Sequence, residues 1–167
     1  PLFFSKNNPR ITFTSPVSGT VTAIVRAEKR RIIEVIITSD DKNDFETFET
    51  KDYARIDEKS IKELLLKSGS WPFIRQRPYN TIASPEDNPK SIFISSFSTL
   101  PLSFDYNFCL KSDQDDFQLG VNILKKLTPG KIFLALDNTS KGFFDKIKNV
   151  EKIYVEGPHP AGNLSVH

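Results

Sequence analysis

The two histidines of this chain, His159 and His167, fall together in its closing stretch, Glu156-GPHPAGNLSV-His167. Imidazole titrates near neutral pH and carries both a donor and an acceptor, which makes this the most chemically versatile segment of the sequence. Pro158 and Pro160 fix φ and remove two N–H donors, while Gly157 and Gly162 allow turns or close approach that a Cβ would block. The apolar run Ile153-Tyr154-Val155 before them reads as a strand, and open α/β sheets bind ligands at the carboxyl ends of their strands. Two readings stand side by side: a rigid structural turn with His159 hydrogen-bonded into it, or a ligand loop with His159 as the donor. Glu156 is the nearest acid in sequence, and no cysteine nucleophile lies close.

A second loop bears on the same edge. Ser95-SFSTLPLSF-Asp105 follows the strand Ser91-IFISSF-Ser98 and contains no glycine. A dinucleotide fingerprint needs glycines so that backbone N–H groups can approach a pyrophosphate at a helix N-terminus. Here Pro101 removes a donor, and Leu100, Leu102 and Phe104 make the loop apolar, so conventional NAD binding is not expected. In a parallel sheet this loop and the terminal one emerge on one edge. The candidate surface for a ligand or partner is therefore Phe97, Leu100 and Leu102 with Gly157, His159, Gly162 and Asn163. The acid pairs Asp40-Asp41 and Asp115-Asp116 read as a solvated turn and a helix start, so no metal site is expected.

The elements that must position these loops show two patterns. Residues 1–38 alternate as β: Ile11-Thr-Phe13-Thr, a Ser15-PVS-Gly19 turn, Thr20-VTAIV-Arg26, a polar tip over Ala27–Arg30, and Arg31-IIEVII-Thr38. Asp57-Glu58-Lys59-Ser60 opens a helix with Ser60 and Glu63 at capping-box spacing, an apolar face of Ile61, Leu64 and Leu65, and Gly69 as the stop. Trp71 to Pro89 holds four prolines, which rule out regular structure over much of its length. Its segment Trp71-PFIRQRPY-Asn80 reads either as an aromatic-anchored linker with solvated arginines or as a basic, aromatic strip facing a ligand. From Ser91 onward strands alternate with helices. A helix begins at Ser112-DQD-Asp116, and Phe117, Gly120, Val121, Leu124 and Leu127 recur along it at three- and four-residue steps, so it buries one face. The strand Lys131-IFLAL-Asp137 follows, then a short helix over Lys141–Lys148 and the strand Glu151-KIYV-Glu156. That order predicts right-handed crossovers and a parallel sheet of Rossmann-like topology.

The bulk numbers exclude whole classes. A net charge of +2 with dispersed Lys and Arg gives no footprint for nucleic acid. One cysteine, Cys109, excludes an internal disulfide and any Cys-rich cluster. No run approaches the roughly 18 apolar residues of a membrane span. The chain starts inside a strand-like run and holds no methionine, so it reads as a piece of a longer protein. The expected organisation is three parts: 1–40 β-rich, 41–90 helix and Pro-rich connector, 91–167 α/β.

Pro1-LFFSKNNPRITFTSPVSGTV-Thr22 resembles the lipoyl and biotinyl carrier domains, where a hairpin tip presents a modified lysine ahead of a Pro-Val-Ser-Gly-Thr-Val turn. Aligned on Pro16, that lysine position falls on Asn8, and Lys6 lies two residues away, so carrier chemistry is not expected. Other stretches join it: the connector (Leu65, Ser68-Gly69, Trp71, Arg75, Arg77, Pro78), the Leu127-Thr128-x-Gly130-Lys131 turn and the Gly157-PHPAGN loop. Taken together, the chain resembles the A subunits of the sodium-translocating NADH:quinone oxidoreductases. The terminal loop departs from the family pattern at Asn163-Leu164-Ser165, and Leu100 replaces a more polar residue.

The resemblance implies part of a barrel-sandwich hybrid followed by a Rossmann-like domain. It implies a peripheral protein on the cytoplasmic face of the bacterial inner membrane, partnered by the other subunits of a sodium pump. The role implied is quinone interaction or assembly, with no cofactor bound by this segment and quinone bound, if at all, by the intact subunit. The alternative is a nucleotide- or flavin-binding oxidoreductase domain of the Rnf C-subunit or complex I type.

Overall fold

A computed structural model describes residues 1–48, 53, 55–138 and 142–163. His167, Leu164, Ser165 and Lys141, all named above, lie outside the described residues, as does part of 45–56.

The N-terminal segment forms two antiparallel pairs. β1 (Phe3–Phe4) pairs with β2 (Thr12–Phe13), and the Phe3 and Phe13 rings stack at 4.6 Å. β3 (Gly19–Arg26) pairs with β4 (Ile32–Ser39) in a ribbon with register shifts after Val21 and Val25. Gly19 is required at the entry to that ribbon: its φ is 149°, and a Cβ there would lie 2.1 Å from the Thr38 carbonyl oxygen. The turn between β1 and β2 is the place where a carrier domain would present its lysine. Asn8 sits in it, its Nδ2 donating to Glu86 Oε2 at 3.3 Å, while Arg10 ion-pairs with Glu63 at 2.7 Å and Glu86 at 3.0 Å. The tip is folded down onto its own chain instead of projecting.

α1 (Glu58–Lys67) begins where Asp57 supplies the N-cap; the Asp57 carbonyl accepts the Ile61 N–H at 3.1 Å. Ser60 therefore lies within the first turn, and the Ser60/Glu63 capping box does not form. The C-terminus is a Schellman closure: Gly69 at φ 74°, Gly69 N–H on Leu66 O, and Ser70 N–H on Leu65 O. The buried face is Ile61 and Leu66, with Leu64 and Leu65 half-buried. Leu66, Trp71 and Ile11 form a small core flanked by Leu65, Ile74 and Ile82. The Pro-rich connector is more regular than its composition predicts. It holds a 3-10 turn (Trp71–Phe73) and a two-rung hairpin, β5 (Arg75–Gln76) with β6 (Thr81–Ile82), because Trp71 is buried and its Nε1–H donates to Ala83 O at 2.8 Å.

The larger core lies in an α/β unit. β7 (Ile92–Ser95), β8 (Ile132–Asp137) and β9 (Glu151–Val155) form a parallel sheet in the order β7-β8-β9. The parallel pairing of Ile92 with Ile132 agrees with the strand–helix–strand pattern of the sequence. The first crossover carries α2 (Tyr106–Cys109), which the pattern did not announce, and α3 (Gln114–Leu124). The second is a single 3-10 turn, Phe143–Lys146, in place of the expected helix. Asp145 closes it by accepting the Gly142 N–H at 3.1 Å, and the adjacent Phe143 and Phe144 both reach the core. Ile132, Leu134 and Leu136 face α3 and these phenylalanines. β7 is less buried than its apolar run suggests: Phe93 is half-exposed and stacks on Phe133 at 4.8 Å on the other sheet face.

Candidate functional site

The carboxyl ends of β7 and β9 release the two loops singled out in the sequence, and the fold brings them into contact. β7 stops at Ser95 because Ser96 turns inward: its N–H and Oγ both bond the Ala135 carbonyl, at 3.2 and 2.6 Å, ending the ladder beside β8. The chain then folds on itself through Leu100 N–H to Ser98 Oγ (3.2 Å) and Ser103 Oγ to Ser98 O (3.3 Å). After β9 the backbone passes Gly157 at φ 152° into two overlapping turns. Ala161 N–H donates to Pro158 O at 2.9 Å and Asn163 N–H to Pro160 O at 2.8 Å. The His159–Pro160 peptide bond is cis.

Thr99 is the junction. Its Oγ1 accepts the Gly162 N–H at 2.9 Å and lies 3.3 Å from His159 Nδ1. Gly162 is buried against it, and a Cβ there would come within 2.7 Å of Thr99 N, so only glycine permits this approach. Beside the junction, Asn138 after β8 donates to Glu156 Oε2 at 2.9 Å, linking the ends of β8 and β9. The edge thus presents an imidazole, a threonine hydroxyl, a carboxylate and an amide.

The predicted residues divide into two groups. His159 and Gly162 meet through Thr99, while Gly157 shapes the turn that carries them. Phe97 is half-buried at the base of the first loop, and Asn163 is exposed after the second. Leu100 is exposed and Leu102, at φ 61°, stands wholly in solvent. The residue that sequence reasoning missed is Thr99: one hydroxyl in a Ser/Thr-rich loop, meeting partners 60 and 63 positions away. Of the residues that meet at this junction, Gly162 carried the advance signal of a close approach. A shallow cleft of about 430 Å³ lined by Phe13, Thr14, Gly69, Pro72, Phe73 and Arg75 was also not anticipated.

The loop's capacity for phosphate can be judged from its helix. At the N-terminus of α2 the Asp105 carboxylate already accepts the Asn107 and Phe108 N–H groups, at 2.8 and 3.4 Å. Those are the donors an anionic phosphate would use, and the carboxylate in their place repels one. Among the described residues no group of three or more His, Cys, Asp or Glu side chains is arranged to hold a metal ion, and no helix is long and apolar enough to cross a membrane.

Two family models match the chain: the NqrA N-terminal barrel-sandwich hybrid domain over residues 1–40 and the NqrA second alpha/beta domain over residues 56–167. Among curated relatives, the A subunit of the Na(+)-translocating NADH-quinone reductase of Vibrio anguillarum is 34% identical over 168 residues, covering 99% of this chain and 37% of the relative. The corresponding proteins of Photorhabdus laumondii and Haemophilus influenzae are 33% and 35% identical, each again matching 99% of this chain and 38% of their own length. The chain therefore spans well under half the length of the curated relatives it matches.

Proposed function

The chain belongs to the NqrA family, and on that premise we propose that it is part of the A subunit of a sodium-translocating NADH:quinone reductase. The role proposed for it is contact with quinone or with neighbouring subunits, not electron carriage. In this reading it is peripheral to the bacterial inner membrane on the cytoplasmic side. Its partners are the other subunits of the pump, and it binds neither NADH nor flavin by itself. The α/β unit is taken as Rossmann-like, its division from the β-rich part falling in the connector over residues 41–90.

The observation that carries this reading is the resemblance to the NqrA proteins, which runs through the whole chain from the Ser15–Thr20 turn to the His159 loop. The convergence of the β7 and β9 loops on Thr99 supports the choice of surface, since a quinone head group needs a hydrogen-bond donor at a carbonyl beside apolar contacts. The Asp105-capped helix and glycine-free loop support the absence of a nucleotide site. They weigh against the Rnf-type or complex I-type alternative.

The test is His159→Ala in the assembled complex. Quinone-dependent turnover or quinone-site inhibitor binding should fall while the variant stays assembled and its melting temperature is retained. Unchanged quinone kinetics would return His159 to a purely structural turn, and low-micromolar NADH or flavin binding by the subunit would promote the alternative.

A further inference from the structure

We infer that Thr99 is a positioning residue that holds His159 in its Nε2–H tautomer, so that the β7–β9 edge offers a ligand one hydrogen-bond donor and selects an acceptor, a carbonyl oxygen. The argument is an accounting of hydrogens. Thr99 Oγ1 has one hydrogen and two lone pairs. A backbone N–H can only donate, so the Gly162 N–H at 2.9 Å fills one lone pair of Oγ1. Among the described residues, the only other group within reach of Oγ1 is His159 Nδ1 at 3.3 Å. The Thr99 hydroxyl hydrogen satisfies itself there, which makes Nδ1 the acceptor and leaves the proton of the neutral ring on Nε2. The opposite assignment, Nδ1–H donating to Oγ1, would leave the hydroxyl hydrogen without a protein acceptor.

Gly162 makes the arrangement specific. It is buried, and a Cβ added there would lie 2.7 Å from Thr99 N, so the absence of a side chain lets the two loops close on Oγ1. His159 itself is exposed, and with Nδ1 facing Thr99 Oγ1 the ring nitrogen left for a ligand is Nε2. This inference rests on the proposed function for the identity of the acceptor, a quinone carbonyl, but the tautomer itself does not depend on it. A carbonyl oxygen can only accept, whereas a hydroquinone hydroxyl must place its own hydrogen as well. A fixed donor therefore favours the oxidised ring.

The experiment uses the full-length protein with ¹⁵N-labelled histidine, the His159 signals being assigned by their loss in His159→Gln. Thr99→Val keeps the shape and removes the hydroxyl; Thr99→Ser keeps the hydroxyl and guards against a packing artefact. Wild type and Thr99→Ser should show an acceptor-type Nδ1 and a protonated Nε2 in the neutral ring, and Thr99→Val should shift toward the averaged values of free imidazole. Short-chain p-benzoquinone binding should weaken about fivefold in Thr99→Val, the equivalent of one ordinary hydrogen bond, and recover in Thr99→Ser. A proton found on Nδ1, or ring shifts identical in wild type and Thr99→Val, overturns the inference. Shifts that change as expected while quinone affinity stays constant uphold the tautomer assignment and overturn the quinone reading.

Discussion

β8 and the β3–β4 ribbon are both apolar strands with satisfied backbone pairing, yet their side chains live in opposite surroundings. Four of the six residues of β8 are buried, and Leu134 is fully so. All eight residues of β3 are exposed, and in β4 only two are as much as half-buried. Val21, Ile24, Val25, Ile33 and Ile36 all show between about a third and two thirds of their surface to solvent. Hydrogen bonding is common to both regions, so it does not distinguish them. Apolar burial does, at about 25 cal/mol per Å² removed from water. A two-stranded ribbon is marginal alone, and this one carries exposed apolar side chains along both strands. The α/β unit carries its stability within the chain, whereas the ribbon gains none from its own side chains beyond cross-strand contact.

The sharpest way to break that comparison is a matched pair of truncations. Leu134→Ala should cost about 2–5 kcal/mol, because β8 is hemmed by α3 and by Phe143 and Phe144 and cannot collapse into the cavity. Ile33→Ala, at 61% exposure, should stay within about 0.5 kcal/mol. Urea unfolding of both variants measures the difference. A loss at Ile33 equal to that at Leu134 would mean that the ribbon is covered in solution, by another copy or another segment. Amide exchange sharpens the same point, with Leu134 and Leu136 protected to near the global stability and the β3–β4 amides opening far below it.

The small core around Trp71 lies between these extremes and gives the next effect. Trp71→Phe keeps most of the apolar contact with Ile11 and Leu66 but removes the Nε1–H donated to Ala83 O. The expected loss is about 0.5–1.5 kcal/mol, one net hydrogen bond. It should be accompanied by faster amide exchange at Ile82 and Ala83, where β6 is tied down. No change in either would mean that the connector is held by its apolar contacts alone.

Legibility in the sequence followed the reach of the forces involved. Period-two alternation located β3 and β4 to within a residue, and the three- and four-residue apolar spacing located α3, because both signals are carried by neighbours in the sequence. Gly69 was readable as a helix stop because only a residue tolerant of φ 74° closes α1 in that way. What stayed hidden depends on particular contacts that apolar patterning does not encode. The β5–β6 hairpin forms among prolines because Trp71 anchors it, and the segment after Gly142 is a 3-10 turn because Asp145 bonds back to Gly142. At the candidate site the glycines and His159 could be named in advance. Thr99 could not, because nothing local separates it from the serines around it. In the same way, the expectation of no carrier chemistry rested on Asn8, but nothing nearby announced that Arg10 and Glu86 pin the tip.

That pinned tip supplies the smallest effect, and one that is polar where the others are apolar. Arg10 lies between Glu63 and Glu86, at 2.7 and 3.0 Å, with all three side chains about half exposed. Such pairs contribute little at a solvated surface, so Arg10→Ala should leave the α/β core untouched. The signature to look for is in acid. The Ser84 hydroxyl, donating to Glu86 Oε2 at 2.7 Å, holds the Glu86 carboxyl below its ordinary range, with help from its own backbone N–H and then from Arg10. A carboxyl whose folded-state value is depressed takes up protons more readily when unfolded. Its stabilising contribution is therefore complete above the ordinary glutamate range and is lost as pH falls through the folded-state value. On acidification the tip should loosen from the connector before the β7–β9 sheet does, with faster amide exchange at Ile11, whose N–H is held by Asn8 O. Glu86→Gln should flatten that acid-side loss while leaving exchange at Leu134 unchanged, and added salt should mute the Arg10 share of it. If the Glu86→Gln protein lost Ile11 protection over the same acid range as wild type, the tip would be held by Ile11 burial instead, and the β-rich region would share the logic of the core it is contrasted with.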